Sequence, residues 1–422
     1  MLAGTCDANG FVERCVVVLG RRHRWLAPLC RRAFQHFGAA LGERDRPRLI
    51  EWICGDEGYL EAWQAARPPR IAQYVLEPAR MSPRAGVLAT CDLPDLPTLG
   101  DLAAWLGVTT RELAWFADVR GMNAPEGALC HYLYRWIAKR HGVRLLEAPK
   151  PRLRAIQRRI LRGILDLVPV HRAAHGFRRG KSCRSHAEPH VGRDVVLRMD
   201  LRSFFASIPA ARVHALFATL GYPASVARAL AALCTNQVPR TMVPAGVMSW
   251  DEARCLGVPH LPQGAPTSPA LANLCAFRLD LRLEALASAM GGQFTRYADD
   301  IAMSGGESLR RDIAGITTLV ARIAIEEGFE VNHRKTRRMF RSHRQLLTGI
   351  VVNRKPNVRR QDFDRLKAVL TNCVRHGPAS QDRDGTRDFK AHLAGRVAHV
   401  ASLNAARGAR LEAIFGRIDW ER

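Results

Sequence analysis

The sequence predicts an α+β protein in which a short antiparallel sheet is backed by helices and followed by a helical region. Strand-like apolar runs at 195–199, 294–297 and 301–303 predict the sheet. Apolar residues at helical spacing predict helices over the first 95 or so residues and again from about residue 357, with a break near 377–385. The 422 residues are nearly half apolar, so they can bury a sizeable core in two or three domains.

The net charge of +25 comes mostly from arginine. Arginine forks onto phosphate and stacks on bases, so a surplus of this size favours a nucleic-acid partner over a surface charged only for solubility. No apolar run reaches the length of a membrane span, and the run at 16–19 is too short for the core of a signal peptide. We therefore expect a cytoplasmic protein with no membrane partner.

Residues 1–97 are predicted to form a helical extension that ends in a linker. The linker, 91–97, holds two prolines and two aspartates, which favour turns. Thr98 then caps one short helix, and Thr109 with Glu112 forms a capping box for the next. Binding of RNA, docking of a partner and a structural cap are the open alternatives for the extension. Its helical pattern is carried by Leu26, Leu29, Ala33, Phe34, Phe37 and Leu41.

Three further elements are predicted between these two short helices and the strand that ends in Asp200. Residues 131–137 alternate like a strand, and 143–146 can form its hairpin partner. A strongly basic amphipathic helix follows at 153–167 and contains Arg154 and Arg158. Contact with a template or a triphosphate and a merely solvated face are its two interpretations. The buried-type strand at 195–199 ends in Asp200, and residues 211–234 are predicted to be helical.

The tetrapeptide Tyr297-Ala298-Asp299-Asp300 lies where a hairpin turn is predicted, about 100 residues after Asp200. Nucleotidyl transfer uses two divalent metals, one for the attacking hydroxyl and one for the triphosphate and the leaving pyrophosphate. Magnesium prefers a few carboxylate oxygens together with phosphates and water. Asp200 and Asp299, on adjacent strands, would supply that pair, and Asp300 would support the site. A solvated acidic turn is the alternative for the tetrapeptide taken alone.

A loop shaped by glycine and proline, residues 261–269, lies between these carboxylates in the sequence and is followed by a predicted helix. A loop of this kind can place its backbone against a nucleotide. This order of strand-terminal Asp, loop and Asp-Asp hairpin favours a nucleotide-polymerising site over a chance acidic turn. Cys255 and His260 flank the loop, but a metal site there lacks two further ligands at suitable spacing.

The run from about 131 to 353 resembles the fingers and palm of reverse transcriptases, motif by motif and in order. The resemblance assigns catalysis to Asp200, Asp299, Asp300 and Lys335, the last matching the residue that can protonate pyrophosphate. It implies two Mg²⁺ ions, held by Asp200, the backbone carbonyl of Leu201, Asp299 and Asp300. It places the dNTP at Lys139, Arg144, Phe205, Gln263 and Gly264, with Phe205 matching the residue that screens the sugar 2′ position.

Within that family the chain most resembles bacterial retron reverse transcriptases. The segment 174–177, Ala-His-Gly-Phe, followed by Gly-Lys-Ser at 180–182, is typical of them and of group II intron enzymes. Retron enzymes also carry an N-A-x-x-H element and a V-T-G element. The corresponding segments here are His-Ala-Glu-Pro-His at 186–190 and Leu-Thr-Gly at 347–349, and each differs from the retron element at its first residue. RNA contacts are expected at Arg154, Arg158, His190, Thr348 and Gly349.

The resemblance implies a right-hand polymerase with an N-terminal helical extension. Its predicted parts are the extension 1–97, N-terminal helices and fingers 98–195, a palm with an antiparallel sheet 196–355, and a helical thumb 356–422. Such an enzyme copies a structured non-coding RNA into RNA-linked single-stranded msDNA, primed by the 2′ hydroxyl of a branching guanosine. The implied partners are that RNA, dNTPs, the DNA product and an effector protein encoded nearby in antiphage defence.

Two alternatives accompany this interpretation. A group II intron-type reverse transcriptase usually adds a DNA-binding region after the thumb, whereas this chain stops at Arg422. A non-catalytic RNA-binding scaffold would not need intact catalytic side chains, whereas Asp200, Asp299, Asp300 and Lys335 are all present.

Overall fold

The computed structural model describes residues 7–38, 41, 45–73, 79–118, 130–138, 142–243, 248–383 and 385–420. The chain divides into two compact units, Met1–Ala79 and Arg80–Arg422. The first unit is helical, and its own apolar core includes Phe11, Cys30, Ala33 and Leu49. Its described helices are α1 (Ala8–Leu19), α2 (Leu26–Phe37), α3 (Arg46–Cys54) and α4 (Glu57–Gln64).

The second unit begins at Arg80, inside the predicted extension 1–97. Leu93 and Leu96 are buried in the main core of this unit, so the predicted extension 1–97 is longer than the first compact unit. The predicted capping box of Thr109 with Glu112 is present, and the predicted cap Thr98 forms a second capping box with Asp101. They begin α5 (Leu99–Leu106) and α6 (Thr110–Ala117).

The predicted hairpin and basic helix follow in order. Strands β1 (Tyr132–Ala138) and β2 (Val143–Pro149) pair antiparallel along their whole length. Helix α7 (Pro151–Gly163) begins with proline at its first position and buries Leu153, Ile156 and Ile160 on one face. Helix α8 (Cys183–Ala187) precedes the sheet.

A four-stranded antiparallel sheet organises the second unit. Its strands β3 (Val195–Asp200), β4 (Gln293–Tyr297), β5 (Asp300–Gly305) and β6 (Arg337–Phe340) lie in the order β4-β5-β3-β6. Helices cover the face that carries Leu197, Met199 and Met303, and this packing forms the main core. The helices of this region are α9 (Ala210–Thr219), α10 (Ala224–Cys234), α11 (Trp250–Leu256), α12 (Ser268–Cys275), α13 (Phe277–Ala289), α14 (Glu307–Arg311) and α15 (Ile313–Glu326).

The predicted helical stretch 211–234 is two helices rather than one. The chain turns between α9 and α10 at Gly221, whose φ is +92°. A Cβ at Gly221 would lie 2.6 Å from the carbonyl oxygen of Ser82, so both the dihedral and the close approach require glycine. Pro223 then precedes α10.

The C-terminal part is helical, as predicted, and has its own core. Leu366, Leu370, Val397 and Leu411 pack there with β-strand residues of a small three-stranded sheet. The sheet consists of β7 (Leu346–Leu347), β8 (Ile350–Val351) and β9 (Asn357–Val358). The helices are α16 (Arg360–His376), α17 (Phe389–Leu403) and α18 (Ala405–Phe415), and the predicted break falls between α16 and α17.

Candidate active site

The ends of two neighbouring strands bring the predicted carboxylates together. Asp200, the last residue of β3, lies directly opposite Asp300, the first residue of β5. Asp299 lies in the turn between β4 and β5, and its carbonyl oxygen accepts a hydrogen bond from the N–H of Leu201 at 2.9 Å. The predicted adjacency of these strands is confirmed, and the aspartates share one end of the sheet.

The turn that carries Asp299 is held by a buried arginine. Ala298 has a φ of +57°, a conformation that L-residues rarely adopt. Arg296 is fully buried and donates to the carbonyl oxygen of Ala298 at 2.9 Å. Its guanidinium also pairs with both carboxylate oxygens of Asp280, at 2.6 and 2.7 Å, and donates to Oδ1 of Asn273 at 3.0 Å. The strained turn is therefore tied to helices α12 and α13 in the core.

Gly176 lies against the same turn and leaves no room for a side chain. A Cβ at this position would lie 2.4 Å from the backbone nitrogen of Ala298. The carbonyl oxygen of Gly176 accepts a hydrogen bond from Asn273 at 2.9 Å. The preceding N–H, that of His175, donates to the carbonyl oxygen of Arg296 at 2.7 Å. The glycine of the family-like segment 174–177 thus has a packing role beside the aspartates.

Two of the three aspartates have cationic partners. Lys335 donates from Nζ to both carboxylate oxygens of Asp200 at 2.9 Å. A hydrogen bond from the N–H of Asn332 to the carbonyl oxygen of Asp200, at 2.7 Å, fixes the 3₁₀ turn that presents Lys335. Arg198 pairs with both oxygens of Asp300, at 2.8 and 3.0 Å.

The electrostatics single out Asp299. Burial raises the pKa of its carboxyl above the ordinary value, and the nearby charges of Asp200 and Asp300 raise it further. Burial also raises the pKa of Asp300, but Arg198 opposes this shift. Three carboxylates thus concentrate negative charge at one end of the sheet, and a bound cation would relieve their mutual repulsion.

The predicted nucleotide loop is attached to the β1–β2 hairpin. The carbonyl oxygen of Gln263 accepts a hydrogen bond from the N–H of Glu147 on β2 at 2.9 Å. Gly264 has a φ of +137°, and a Cβ there would lie 2.9 Å from the carbonyl oxygen of Glu147. Only glycine therefore fits at 264, because both the dihedral and the close approach exclude a side chain.

The same hairpin is anchored by a buried polar cluster that the sequence did not reveal. Glu147 accepts hydrogen bonds from Asn236 at 2.7 Å and from Nε2 of His260 at 3.0 Å. The other ring nitrogen of His260 faces the carbonyl oxygen of Val258 at 2.7 Å. Both nitrogens of His260 are therefore occupied within the protein, in a packing role that differs from metal ligation.

Phe205 lies on the loop that follows β3. Its ring is 5.8 Å from that of Phe177 and 5.7 Å from that of Phe204, centroid to centroid. Phe177 is about half exposed and has a φ of +60°. Arg144 is an exposed residue of β2, and the predicted triphosphate contact Lys139 lies outside the described residues.

The predicted RNA-binding residues have different environments. Arg154 is half-buried and Arg158 exposed on α7. Thr348 and Gly349 form the two-residue turn between β7 and β8, with φ values of +44° and +87° that are typical of a type I′ hairpin. His190 is fully buried, so its predicted RNA contact does not agree with the structure: residues of β4 and β5 contact both of its ring nitrogens.

His190 belongs to a hydrogen-bonded cluster behind strands β4 and β5. Its ring nitrogens contact Oγ of Ser304 at 2.6 Å and Oγ1 of Thr295 at 2.7 Å. Thr295 Oγ1 also contacts Nδ1 of His186 at 2.7 Å. Nearby, Nδ1 of His175 contacts Oγ of Ser185 at 2.9 Å. Burial lowers the pKa of His175 to about 4 and that of His186 to about 3, so these rings are neutral at pH 7.

Sequence reasoning missed the two arginines that support the aspartates. Arg198 interrupts the apolar run that precedes Asp200 in β3, and Arg296 lies between Thr295 and Tyr297 in the buried part of β4. A charged residue within a buried-type strand was the available signal, since such a residue requires a partner.

Two further properties bear on the site and its surroundings. Within the described ranges, no three His, Cys, Asp or Glu side chains converge into a preformed metal cage. Magnesium sites of this kind draw several of their ligands from water and substrate phosphates, so carboxylate oxygens from two or three aspartates fit such an ion. Across the same described ranges, every helix is too short or too polar to span a bilayer.

The family comparison agrees with this geometry. A model described as reverse transcriptase (RNA-dependent DNA polymerase) matches residues 137–361, just over half of the chain. Retron Mx65 reverse transcriptase from Myxococcus xanthus is 41% identical over 336 residues, which cover 78% of this chain and 74% of that protein. Retron Mx162 reverse transcriptase from the same organism is 34% identical over 331 residues, covering 75% and 66%.

Among solved structures, telomerase from Candida albicans in complex with a telomeric RNA fragment aligns with a TM-score of 0.37 and 11% identity. That alignment covers 79% of this chain and 64% of the telomerase chain. The assignment depends instead on the family match and on the Myxococcus relatives, which are retron reverse transcriptases by name. Reverse transcriptases generally use divalent metal ions. The chain belongs to the reverse transcriptases, with their right-hand α+β fold, and within them to the bacterial retron type.

Proposed function

We propose that Asp200 and Asp299 form the metal-binding pair at which this enzyme adds deoxynucleotides to a growing strand, with Asp300 in support. The observation that carries the proposal is the pairing of Asp200 with Asp300 across β3 and β5, with Asp299 in the adjoining turn. The raised pKa of Asp299 reflects burial and the concentration of negative charge at this point. Two Mg²⁺ ions bound here would supply activation of the attacking hydroxyl and neutralisation of the triphosphate.

Lys335 is proposed as the proton donor to the leaving pyrophosphate. Its side chain is 58% exposed, whereas that of its partner Asp200 is 9% exposed. The ammonium group therefore holds the carboxylate in the free protein while remaining accessible from the solvent side. A lysine serves this role as a mobile point charge that can shift from carboxylate to phosphate.

The incoming dNTP is proposed to lie against the surface that the 261–269 loop and the β1–β2 hairpin form together. Gln263 and Gly264 would line the nucleotide pocket, because their contacts with Glu147 fix the backbone of this loop in place. The partly buried ring of Phe205 would lie under the sugar and disfavour a 2′ hydroxyl. Arg144, exposed on β2, and Lys139 remain predicted contacts of the triphosphate.

The RNA is proposed to follow helix α7 and the β7–β8 turn. Arg154, Arg158 and Arg162 recur every fourth residue and so lie along one side of α7, about 6 Å apart along the axis. Like charges at this spacing repel each other in a free helix, and a phosphate backbone would neutralise them. Thr348 and Gly349 remain the predicted contacts at the β7–β8 turn; His190 is left out because it is buried.

The proposed reaction copies a structured non-coding RNA into RNA-linked single-stranded DNA. The support is the family membership, together with the names of the Myxococcus relatives, which are retron enzymes. An effector protein encoded nearby would complete a defence system. The cytoplasm is the proposed location, since transcripts and dNTPs are made there.

Primer extension on an RNA template with Mg²⁺ and dNTPs tests the catalytic assignment. Wild type should incorporate deoxynucleotides, and the double variant Asp299→Ala plus Asp300→Ala should lose at least about 10³-fold, because the charge-stabilising groups are gone. Arg322→Ala, which removes an exposed ion pair with Glu326 on α15, is the matched control. Equal incorporation by wild type and the double variant would exclude these aspartates from catalysis.

Sequencing of nucleic acid that copurifies with the protein tests the retron part. The expected result is one structured RNA joined to a short DNA. A mixed population of cellular RNA without linked DNA would contradict that part while leaving the primer-extension result untouched.

A further inference from the structure

Arg198 occupies an unusual place in the sheet. It is the only charged residue before Asp200 in β3, whose remaining residues Val195, Val196, Leu197 and Met199 are fully buried. Because side chains two apart on a strand share a face, Arg198 and Asp200 lie on the same face. The register adds Asp300 to that face, next to Asp200. The guanidinium therefore lies within reach of the acidic end of the sheet.

The contact that Arg198 makes is bidentate and specific to Asp300. Its Nε and Nη2 both donate to Oδ1, at 3.0 and 2.8 Å, and Nη2 also donates to Oδ2 at 3.0 Å. The two side chains are 32% and 18% exposed, so water screens the pair only partly. Planar fork-to-carboxylate pairing of this kind fixes orientation as well as charge.

The three aspartates consequently differ in how firmly they are held. Both oxygens of Asp300 are engaged by a rigid guanidinium, whereas Asp200 is paired with a lysine whose side chain is mostly exposed. No cation pairs with the side chain of Asp299 anywhere in the described part of the chain. Asp300 is thus the least available of the three for another cation.

We propose that Arg198 is a positioning residue that reserves Asp300 as a fixed support of the site and leaves cation binding to Asp200 and Asp299. This inference rests on the proposed function and refines it, because it separates two adjacent aspartates by role. Without the guanidinium, Asp300 would be free to turn toward the other two carboxylates. The site would then attract a divalent cation more strongly but hold it in a less defined arrangement.

The test measures Mg²⁺ affinity and polymerisation separately in the full-length protein. Isothermal titration of the nucleic-acid-free protein with MgCl₂ gives the affinity, and primer extension at saturating Mg²⁺ gives the rate. For Arg198→Gln we expect Mg²⁺ to bind on the order of 3- to 10-fold tighter, since a positive charge is removed and a carboxylate released. The extension rate should fall by at least about 10-fold, because the carboxylate arrangement is no longer fixed. A merely structural role would not raise metal affinity while lowering the rate.

Two further variants isolate the part played by Asp300. Arg198→Lys keeps the charge but not the fork, so Mg²⁺ affinity should stay within about twofold of wild type while the rate stays reduced. In an Asp300→Asn background, the gain in Mg²⁺ affinity from Arg198→Gln should shrink by about threefold or more, since no carboxylate is left to release. Arg322→Gln, which replaces an exposed side chain of helix α15, is the matched control and should change neither quantity.

The proposal is overturned if Arg198→Gln leaves affinity and rate unchanged, or if it weakens Mg²⁺ binding equally in both backgrounds. If Arg198→Gln fails to fold, a wild-type rate for Arg198→Lys overturns it, because the fork would then be dispensable. The affinity measurements need no polymerase activity. A wild-type protein that extends no primer therefore contradicts the proposed function, while the titrations still decide the role of Arg198.

Discussion

Phe205, on the loop after β3, is the residue proposed to govern the choice between deoxyribose and ribose. Its ring is packed against Phe204 and Phe177, so it has little freedom to move away from a 2′ hydroxyl. Phe205→Ala should raise the use of ribonucleotides relative to deoxynucleotides by on the order of 10- to 100-fold, mainly by improving ribonucleotide kcat/KM. Single-nucleotide incorporation with paired dNTP and NTP series measures this ratio.

Phe177→Ala is the control for Phe205, because it removes the exposed neighbouring ring but keeps the residue that is proposed to lie under the sugar. Its effect on selectivity should be clearly smaller. An unchanged ratio in Phe205→Ala would mean that another residue screens the sugar.

Arg296 is a buried charge that stabilises the fold through its hydrogen-bond partners. Arg296→Met leaves the carboxylate of Asp280 buried without a partner and removes a donor from the carbonyl of Ala298. We expect a loss of about 3–5 kcal/mol in the free energy of unfolding, the usual cost of breaking a buried pair. Urea unfolding followed by circular dichroism measures the loss. Arg322→Met, which removes an exposed arginine from its pair with Glu326, should cost about 1 kcal/mol or less. Equal losses in the two variants would contradict a larger contribution from the buried pair of Arg296.

At the scale of elements, strands β4 and β5 are backed by three neutral histidines. Burial lowers the pKa of His175 and His186 to about 4 and 3, and that of His190 well below its ordinary range. An unfolded chain takes up protons near pH 6.5, whereas the folded chain does not until far lower pH. Their contribution to stability is therefore complete above about pH 6.5 and is lost as the pH falls toward 4.

Because of this pH dependence, the stability of wild type should fall more steeply with decreasing pH than that of His186→Asn. Each buried neutral histidine contributes up to about 1.4 kcal/mol per pH unit within that window. Asparagine can replace Nδ1 of His186 in its contact with Thr295 and has no proton to gain. Urea midpoints between pH 7 and 4.5 measure the slope, with His376→Asn on the exposed face of α16 as control. Parallel slopes for wild type and His186→Asn would contradict the prediction.

Helix α7 presents its arginines as a row rather than as isolated charges. Arg154→Ala plus Arg158→Ala should weaken RNA binding and reduce the slope of log K against log salt by about 0.7 to 0.9 for each phosphate that the protein no longer neutralises. Fluorescence anisotropy with a labelled RNA, over a range of KCl concentrations, measures both. Arg310→Ala plus Arg311→Ala on α14 is the matched control, because both arginines already pair with Glu307. An unchanged salt slope in the α7 variant would indicate a merely solvated face.

Across the whole molecule, the helices and strands could be predicted from local sequence patterns. The contacts between side chains that are distant in sequence could not. The β3 strand, the β4–β5 hairpin and the capping boxes were predictable because strand alternation and caps are short-range signals. The pairs Arg198–Asp300 and Glu147–His260 join residues more than 100 positions apart, and no local pattern specifies them. The burial of His190 escaped the prediction for the same reason, because strands β4 and β5 enclose it only in the folded chain.

The division into two compact units leads to a prediction for the whole chain. Every described residue proposed for catalysis, dNTP binding or RNA contact lies in Arg80–Arg422, which has its own large core. A fragment covering 80–422 should therefore fold and extend a primer on a generic RNA template at a rate within about tenfold of the full chain. Circular dichroism melting verifies folding, and primer extension gives the rate. If the folded fragment no longer extends the primer, the first unit contributes directly to polymerisation. If the fragment extends the primer but no longer binds the copurifying RNA, the first unit recognises that RNA.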